Sequence, residues 1–395
     1  MERLYWNNDW KFAETWEEAM KEAVYPENEM EDVRLPHTCK ELPYHYFDEH
    51  AYQMLCGYRR HFMAPEAWQG KSVELTFEGV AHDAVVYVNG TEVKAHHCGY
   101  TAFFVEIAKY LKYGEDNVLA VRVDSRENLN IPPFGYAIDY MTFGGMYREV
   151  YVQVRNKTHL ADVFVKPQIH PLQVTTEITV QNISDGITLQ QEIRKKGEGA
   201  YSPLGQKSVK QTNVQTVFPV QEICLWEPEN PHLYEIRTSL WKNGEMIDAR
   251  VDITGFREAG FRKDGFYLNG KKLRLRGLNR HQSYPYVGYA APASMQIFDA
   301  DILKKELGVN AVRTSHYPQS QDFIRRCDEI GLLVFTEFPG WQHIGDEEWK
   351  RQAVQNLKEM IVQYRNHPSI ILWGVRINES QLSLIHISEP TRPRL

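Results

Sequence analysis

Three features are scarce in this 395-residue chain, and each scarcity narrows what the chain can be. Cysteine comes first: the five residues Cys39, Cys56, Cys98, Cys224 and Cys327 are odd in number, scattered and never spaced as CxxC. A zinc site or a disulfide framework is therefore not expected, and small thiols in a reducing, cytoplasmic setting are. Long apolar runs are missing too. No stretch approaches the length of a membrane span, and the start, Met1-Glu2-Arg3-Leu4-Tyr5-Trp6, has no signal-peptide core. The third scarcity is charge of one sign in blocks. Lys plus Arg number 45 against 52 Asp plus Glu, a net of -7, and the two signs are interspersed. That pattern argues against a nucleic-acid or anionic-membrane partner. The sequence also lacks an HxH pair or paired carboxylates, so a barrel metallohydrolase assembled from His281, His316, Glu337 and His343 ranks last among the enzyme readings.

What is present is globular: 43% hydrophobic and 12% aromatic residues in a length that suits two to three domains. From Met1 to about Asn156 the signals are β-type. Ser72 to Phe77, Ala84 to Val88, Val118 to Val123 and Glu149 to Val154 are short β-branched and aromatic runs, and Asn89-Gly90 is a two-residue hairpin turn. A jelly-roll β-sandwich is expected over residues 1–156. Within it, the aromatic and glycine-rich loop from Pro132 to Arg148 is expected to dock against something, because exposed rings on a long loop are costly. Residues 157–257 read as an immunoglobulin-like β-sandwich, with alternation in Gln173 to Val180 and Leu233 to Leu240 and a polar, glycine-bearing stretch from Gly186 to Lys210. Trp226 and Trp241 are assigned to core or inter-domain packing.

From residue 258 the periodicity changes. Strands are expected at Leu273 to Leu278, Asn310 to Ser315, Leu332 to Phe338 and Ser369 to Val375. Helices are expected at Met295 to Leu307, Gln319 to Ile330 and Asp346 to Arg365, the last with Trp349, Ala353, Leu357, Met360, Ile361 and Tyr364 on one face. Apolar strands alternating with helices mark a parallel sheet, here the first half of a (β/α)8 TIM barrel over residues 258–381. The strand exits carry Asn279-Arg280-His281, Arg313 with His316, Glu337, and Asn378-Glu379. In such a barrel those exits converge on one mouth.

Three motifs carry a resemblance: Arg276-Gly277-Leu278-Asn279-Arg280-His281, then Asn310-Ala311-Val312-Arg313-Thr314-Ser315-His316-Tyr317-Pro318, and Arg365-Asn366-His367-Pro368-Ser369 leading to Asn378-Glu379. The chain resembles glycoside hydrolase family 2, whose members are β-galactosidases, β-glucuronidases and β-mannosidases. The resemblance implies retaining hydrolysis of a β-glycosidic bond by two carboxylates, with a carbohydrate as the partner. It places Glu379 as the catalytic acid/base and Asn378 as the amide that contacts the sugar 2-hydroxyl. By the same resemblance His281 and His316 hydrogen-bond the sugar, Arg313 supports the nucleophile, and Asp139 reaches from the first sandwich into the mouth. A homo-oligomeric full-length parent is also implied.

The departures are as informative. The segment from Trp373 to Glu379 is one residue longer than the family pattern, so a bulge or bend is expected before Glu379. No cofactor is expected: where the family's large β-galactosidase holds magnesium, this chain has Trp341 and His343. Residues 382–395 match nothing in the family and read as a non-native tail, so the nucleophile is expected to be absent and the chain to be an inactive, C-terminally truncated fragment with unpaired sheet edges. The expected function is β-galactosidase-like, with a β-glucuronidase of the same family as the nearest rival. The alternative from another class is a non-catalytic carbohydrate-binding protein made of the two sandwiches.

Overall fold

The computed structural model describes residues 3–43, 45, 48–135 and 138–375. The first sandwich pairs a four-stranded antiparallel sheet with a six-stranded one. Its Asn89-Gly90 turn joins strands Asp83–Val88 and Thr91–His96, with both turn residues at positive φ (50° and 83°), the backbone that a tight hairpin demands. The second sandwich stacks a three-stranded on a four-stranded sheet. The polar stretch after Gly186 holds two of those strands, Ile187–Lys195 and Ser202–Ser208. The latter lies at a sheet edge with mostly exposed side chains, so its composition resembles that of a loop.

The third unit begins with a small hairpin sheet, in which Lys271–Leu273 is the last strand. The expected strand at Leu273 to Leu278 is thus divided: Leu273 closes the hairpin, and the first parallel strand is β1, Gly277–Arg280. Glycine is required there, because a Cβ on Gly277 would meet the Ala311 carbonyl oxygen at 2.4 Å. There follow α1 (Ala293–Asp301), β2 (Ala311–Thr314), α2 (Gln321–Ile330), β3 (Leu333–Glu337), α3 (Glu347–Tyr364) and β4 (Ile370–Gly374). The four strands pair in parallel in the order β1-β2-β3-β4, the partial barrel that the sequence implies. Among the described residues β1 and β4 are its edges, and they leave Leu278 and Leu372 exposed.

Local chemistry explains where the helices start and stop. Ser320 caps α2 by accepting from the Asp322 amide at 3.2 Å, and Gly331 ends it in the left-handed region at φ 70°. Asp346 caps α3 through the Glu348 and Trp349 amides at 3.0 and 3.3 Å. The buried face of α3 is Trp349, Ala353, Leu357, Met360 and Tyr364, as its periodicity implies, with Ile361 half-buried beside it and Asn356 an unforeseen polar member. Each large apolar side chain so buried contributes roughly 1.5–3 kcal/mol.

Three seams hold the units in place. The core of the first sandwich extends into the barrel unit, since Tyr289, Ala290 and Tyr317 pack within it. Arg148, buried, donates to the Glu78 and Tyr100 carbonyls and, across the seam, to Gln282 Oε1 at 3.0 Å and the Pro318 carbonyl at 3.2 Å. The described part of the docking loop expected from Pro132 to Arg148 therefore lies against the strand exits, through Tyr140 and Arg148. At the second seam Trp226 is buried and donates to the Asp328 carbonyl at 2.8 Å, so it is an inter-domain residue. Asp328 also accepts from the Ser369 amide at 3.0 Å and meets His367, while Arg365 pairs with Asp162 of the second sandwich.

At the third seam Glu359 of α3 meets Thr101 at 2.6 Å and His96 at 3.0 Å. Burial pushes the Glu359 carboxyl up, but the hydrogen bonds from His96 and Thr101 outweigh it and hold the group down at about 2. A carboxylate depressed in the fold stabilises it fully above its ordinary value and loses that contribution as pH falls towards the folded value. Glu359→Gln should therefore lower the urea midpoint at pH 7 and shrink the difference between wild type and variant at pH 3. A difference that stays constant between those pH values would remove this seam as an ionic one.

Candidate active site

Register places the polar exits together. Asn279 of β1 pairs with Arg313 of β2, Arg313 with Phe335 of β3, and Glu337 with Gly374 of β4. At the centre is Glu337, whose side chain is fully buried. One oxygen accepts from Arg313 Nε at 2.9 Å and the other meets His316 Nδ1 at 2.7 Å. An ionised carboxylate only accepts, so this contact assigns a proton to Nδ1 of His316. The Arg313 contact to the same Nδ1 is longer, at 3.4 Å.

The other wall is aromatic. His281 Nδ1 lies 3.1 Å from the Tyr317 hydroxyl, and the His281 and His316 rings stand 5.5 Å apart. Tyr140, from the loop of the first sandwich, places its ring 5.0 Å from His281, 5.8 Å from His316 and 5.5 Å from Trp341. Trp341 in turn lies 5.2 Å from His316. Burial, helped by the neighbouring His316, holds the His281 imidazole down at about 4 against the opposing pull of Asp139 and Glu337. His281 is therefore neutral near pH 7, a hydrogen-bonding group rather than a cation. Asp139 is exposed, close enough for its charge to act on both His281 and Tyr140.

His281, His316, Arg313 and Asp139 are thus brought to one place. Glu379 and Asn378 lie outside the described residues, which end at Val375 with Gly374 bonded to the β3 exit through the Phe338 amide at 2.9 Å. An irregularity does occur in β4, between Ile370 and Leu372 opposite Val334 and Phe335. It lies upstream of the extra residue. Arg280, also a strand-exit residue, turns away to Asp299 and Gln296 of α1 and to Gln319 of the loop before α2. Tyr140, Trp341 and Tyr317 were not singled out as mouth residues from sequence; their signal was an aromatic-rich loop and a tryptophan where a metal ligand was awaited.

Metal chemistry at that position does not fit the residues present. Trp341 is buried, and its indole offers no lone pair to a hard cation. A carboxylate trio that could share an ion, Glu78, Glu149 and Asp322, lies at the seam between first sandwich and α2, where Arg3 already engages Glu78. No helix among the described residues is long and apolar enough to cross a membrane.

Parallel strands whose polar exits gather beneath a loop from a preceding sandwich define an α/β-barrel protein with a composite mouth. Three family models match the chain in succession. They are glycosyl hydrolases family 2, sugar binding domain, over residues 31–155, glycosyl hydrolases family 2 over 158–257, and glycosyl hydrolases family 2, TIM barrel domain, over 260–388. A beta-galactosidase of Thermoanaerobacter pseudethanolicus is 48% identical over 385 residues, which are 95% of this chain and 52% of that protein. A putative beta-glucuronidase of Formosa agariphila is 31% identical over 87% of this chain and 42% of its own length. The structure of Bacteroides uniformis beta-glucuronidase 2, covalently bound to cyclophellitol-6-carboxylate aziridine, superposes with a TM-score of 0.87 at 29% identity, over 94% of this chain and 46% of that one. The chain belongs to glycosyl hydrolase family 2, and it spans about half the length of the curated relatives it matches.

Glu337→Gln tests the centre of this arrangement. An amide donating to His316 Nδ1 should move the imidazole proton to Nε2, visible in the nitrogen-15 histidine spectrum. Unfolding free energy should fall by an amount at or below the roughly 3–5 kcal/mol typical of one broken buried pair. An unchanged tautomer would show that Glu337 does not set it.

Proposed function

We propose that this chain carries the sugar-binding and proton-donating part of a retaining β-glycosidase, with terminal β-galactosides as the substrate class. The observation that carries the reading is the cluster at the strand exits. Neutral His281 and oriented His316 gather around the Tyr140 ring with Trp341 beside them, Arg313 shares Glu337 with His316, and the Asp139 charge acts on His281. Such a cluster offers donors and acceptors to sugar hydroxyls and aromatic rings to the apolar side of a pyranose. In this reading Glu379 donates a proton to the leaving oxygen and later draws one from water, while Asn378 holds the 2-hydroxyl. Glu337 does not serve as the second carboxylate, because both its oxygens are committed. The nucleophile comes from sequence outside these 395 residues, and the chain alone is inactive. No cofactor takes part. The buried thiols of Cys39, Cys56, Cys98 and Cys327 support a cytoplasmic setting.

The 48% identity to a beta-galactosidase supports a galactoside; the likeness to the B. uniformis beta-glucuronidase 2 structure favours a glucuronide as the second reading. Calorimetric titration of the chain with methyl β-galactoside and methyl β-glucuronide decides between them.

The purified chain should release no nitrophenol from nitrophenyl β-galactoside, and measurable turnover would overturn the inactive-fragment reading. Joined after Gln381 to the C-terminal half of the T. pseudethanolicus relative, it should turn over. There Glu379→Gln should slow alkyl galactosides by roughly 10²–10⁴-fold and dinitrophenyl galactoside far less. Equal losses on both would remove Glu379 as the acid.

A further inference from the structure

The two mouth histidines are each held by a group from the neighbouring strand exit, and the two holds differ in kind. His316 meets a carboxylate of the β3 exit, whereas His281, at the β1 exit, meets the phenol of Tyr317 from the β2 exit. Packing fixes that phenol in place. The Tyr317 ring is fully buried and stacked on Tyr100 of the first sandwich, 4.4 Å between centroids and 11° between planes, with Tyr289 at 5.4 Å and Tyr140 at 5.6 Å. Burial also pushes the phenol up from its ordinary value, so the group keeps its proton.

Among the described residues, two groups lie within hydrogen-bond distance of the Tyr317 oxygen. The Gln282 amide donates to it at 3.4 Å, and His281 Nδ1 lies 3.1 Å away. A phenol carries one proton and two lone pairs. If Nδ1 donated as well, the phenol would accept twice and its own O–H would be buried without an acceptor, the costly arrangement. Every group is satisfied when Tyr317 donates to Nδ1. Burial holds the His281 imidazole down at about 4, so near pH 7 the ring carries one proton, and that proton is then on Nε2. His281 is half-buried, and among the described residues its Nε2 makes no hydrogen bond. The arrangement also depends on the seam, since Gln282, whose amide reaches the phenol, accepts through Oε1 from Arg148 of the first sandwich at 3.0 Å.

We propose that Tyr317 is a positioning residue for sugar recognition: by donating to Nδ1 it holds His281 as an Nε2–H donor that offers its proton to a hydroxyl of the substrate. The two histidines then carry unlike δ nitrogens, a proton on that of His316 and a lone pair on that of His281. The inference rests on the sugar-binding reading of the mouth given above.

Nitrogen-15 histidine spectra of the 395-residue chain at pH 7 test it, with the His281 signals identified as those missing from His281→Ala. In the wild type the His281 proton should sit on Nε2, and the Nδ1 signal should carry the upfield displacement of a hydrogen-bond acceptor. Tyr317→Phe keeps the stacked ring and should abolish that displacement. By calorimetry it should also weaken methyl β-galactoside binding by roughly two- to tenfold, and cause no further loss in the His281→Ala background. A wild-type proton on Nδ1, a spectrum that Tyr317→Phe leaves unchanged, or an equal loss in both backgrounds would overturn the positioning role. A chain whose spectra show the bond from Tyr317 to His281 but which binds no sugar would overturn the sugar-binding reading of the mouth instead.

Discussion

The mouth depends on one buried carboxylate. Glu337 is wholly removed from water, and an ion so placed is tolerated only if its partners compensate for lost hydration. Arg313 and His316 do so, one to each oxygen. Those bonds tie the ends of two neighbouring strands to each other, put a proton on Nδ1 of His316, and hold the Arg313 guanidinium against Glu337. His281, Tyr140 and Trp341 then pack around a histidine that cannot turn. Positioned groups of this kind are useful to catalysis because their geometry is established before the substrate arrives.

The sandwiches are part of the same device rather than appendages. Tyr140 and Asp139 belong to the first sandwich, yet they complete the barrel mouth, and they are held there by Arg148 clamped between Gln282 and the Pro318 carbonyl. On the far side, Trp226 and the Arg365-Asn366-His367 segment bind the second sandwich to α2 and β4 through Asp328 and Asp162. Much of what makes these motifs recognisable in the chain is therefore inter-domain bonding. His367 and Asn366 touch no part of the mouth cluster in these contacts, although they lead into the strand that aims at it.

Legibility followed the range of the interaction. Helix α3 could be read almost residue by residue, because its cap at Asp346 and its apolar face are encoded within a few turns. The Asn89-Gly90 hairpin was equally plain. The strand before β1 was misplaced because Leu273 and Leu275 look alike locally, and only the pairing of Gly277 against Ala311 decides which part joins the parallel sheet. The edge strand Ser202–Ser208 was hidden by its polar composition, which reflects exposure and not the absence of pairing.

In the site, residue types at strand exits sufficed to bring forward His281, Arg313 and His316, since strand direction in a parallel sheet sends all exits to one end, whereas Asp139 came forward only through the family resemblance. Sequence alone thus determined the family, the order of the three units, and the strand and helix alternation, and it brought His281, Arg313 and His316 forward while also offering Arg280, which turns away. It could not determine which of them would be neutral, which would be locked, or what would wall them in. Those outcomes arise between residues far apart in the chain: Glu337 against Arg313 and His316, Tyr140 against His281 and Trp341, Leu42 against Tyr286. Desolvation and close ring packing are properties of a place, and the place exists only once the sandwich has closed over the barrel.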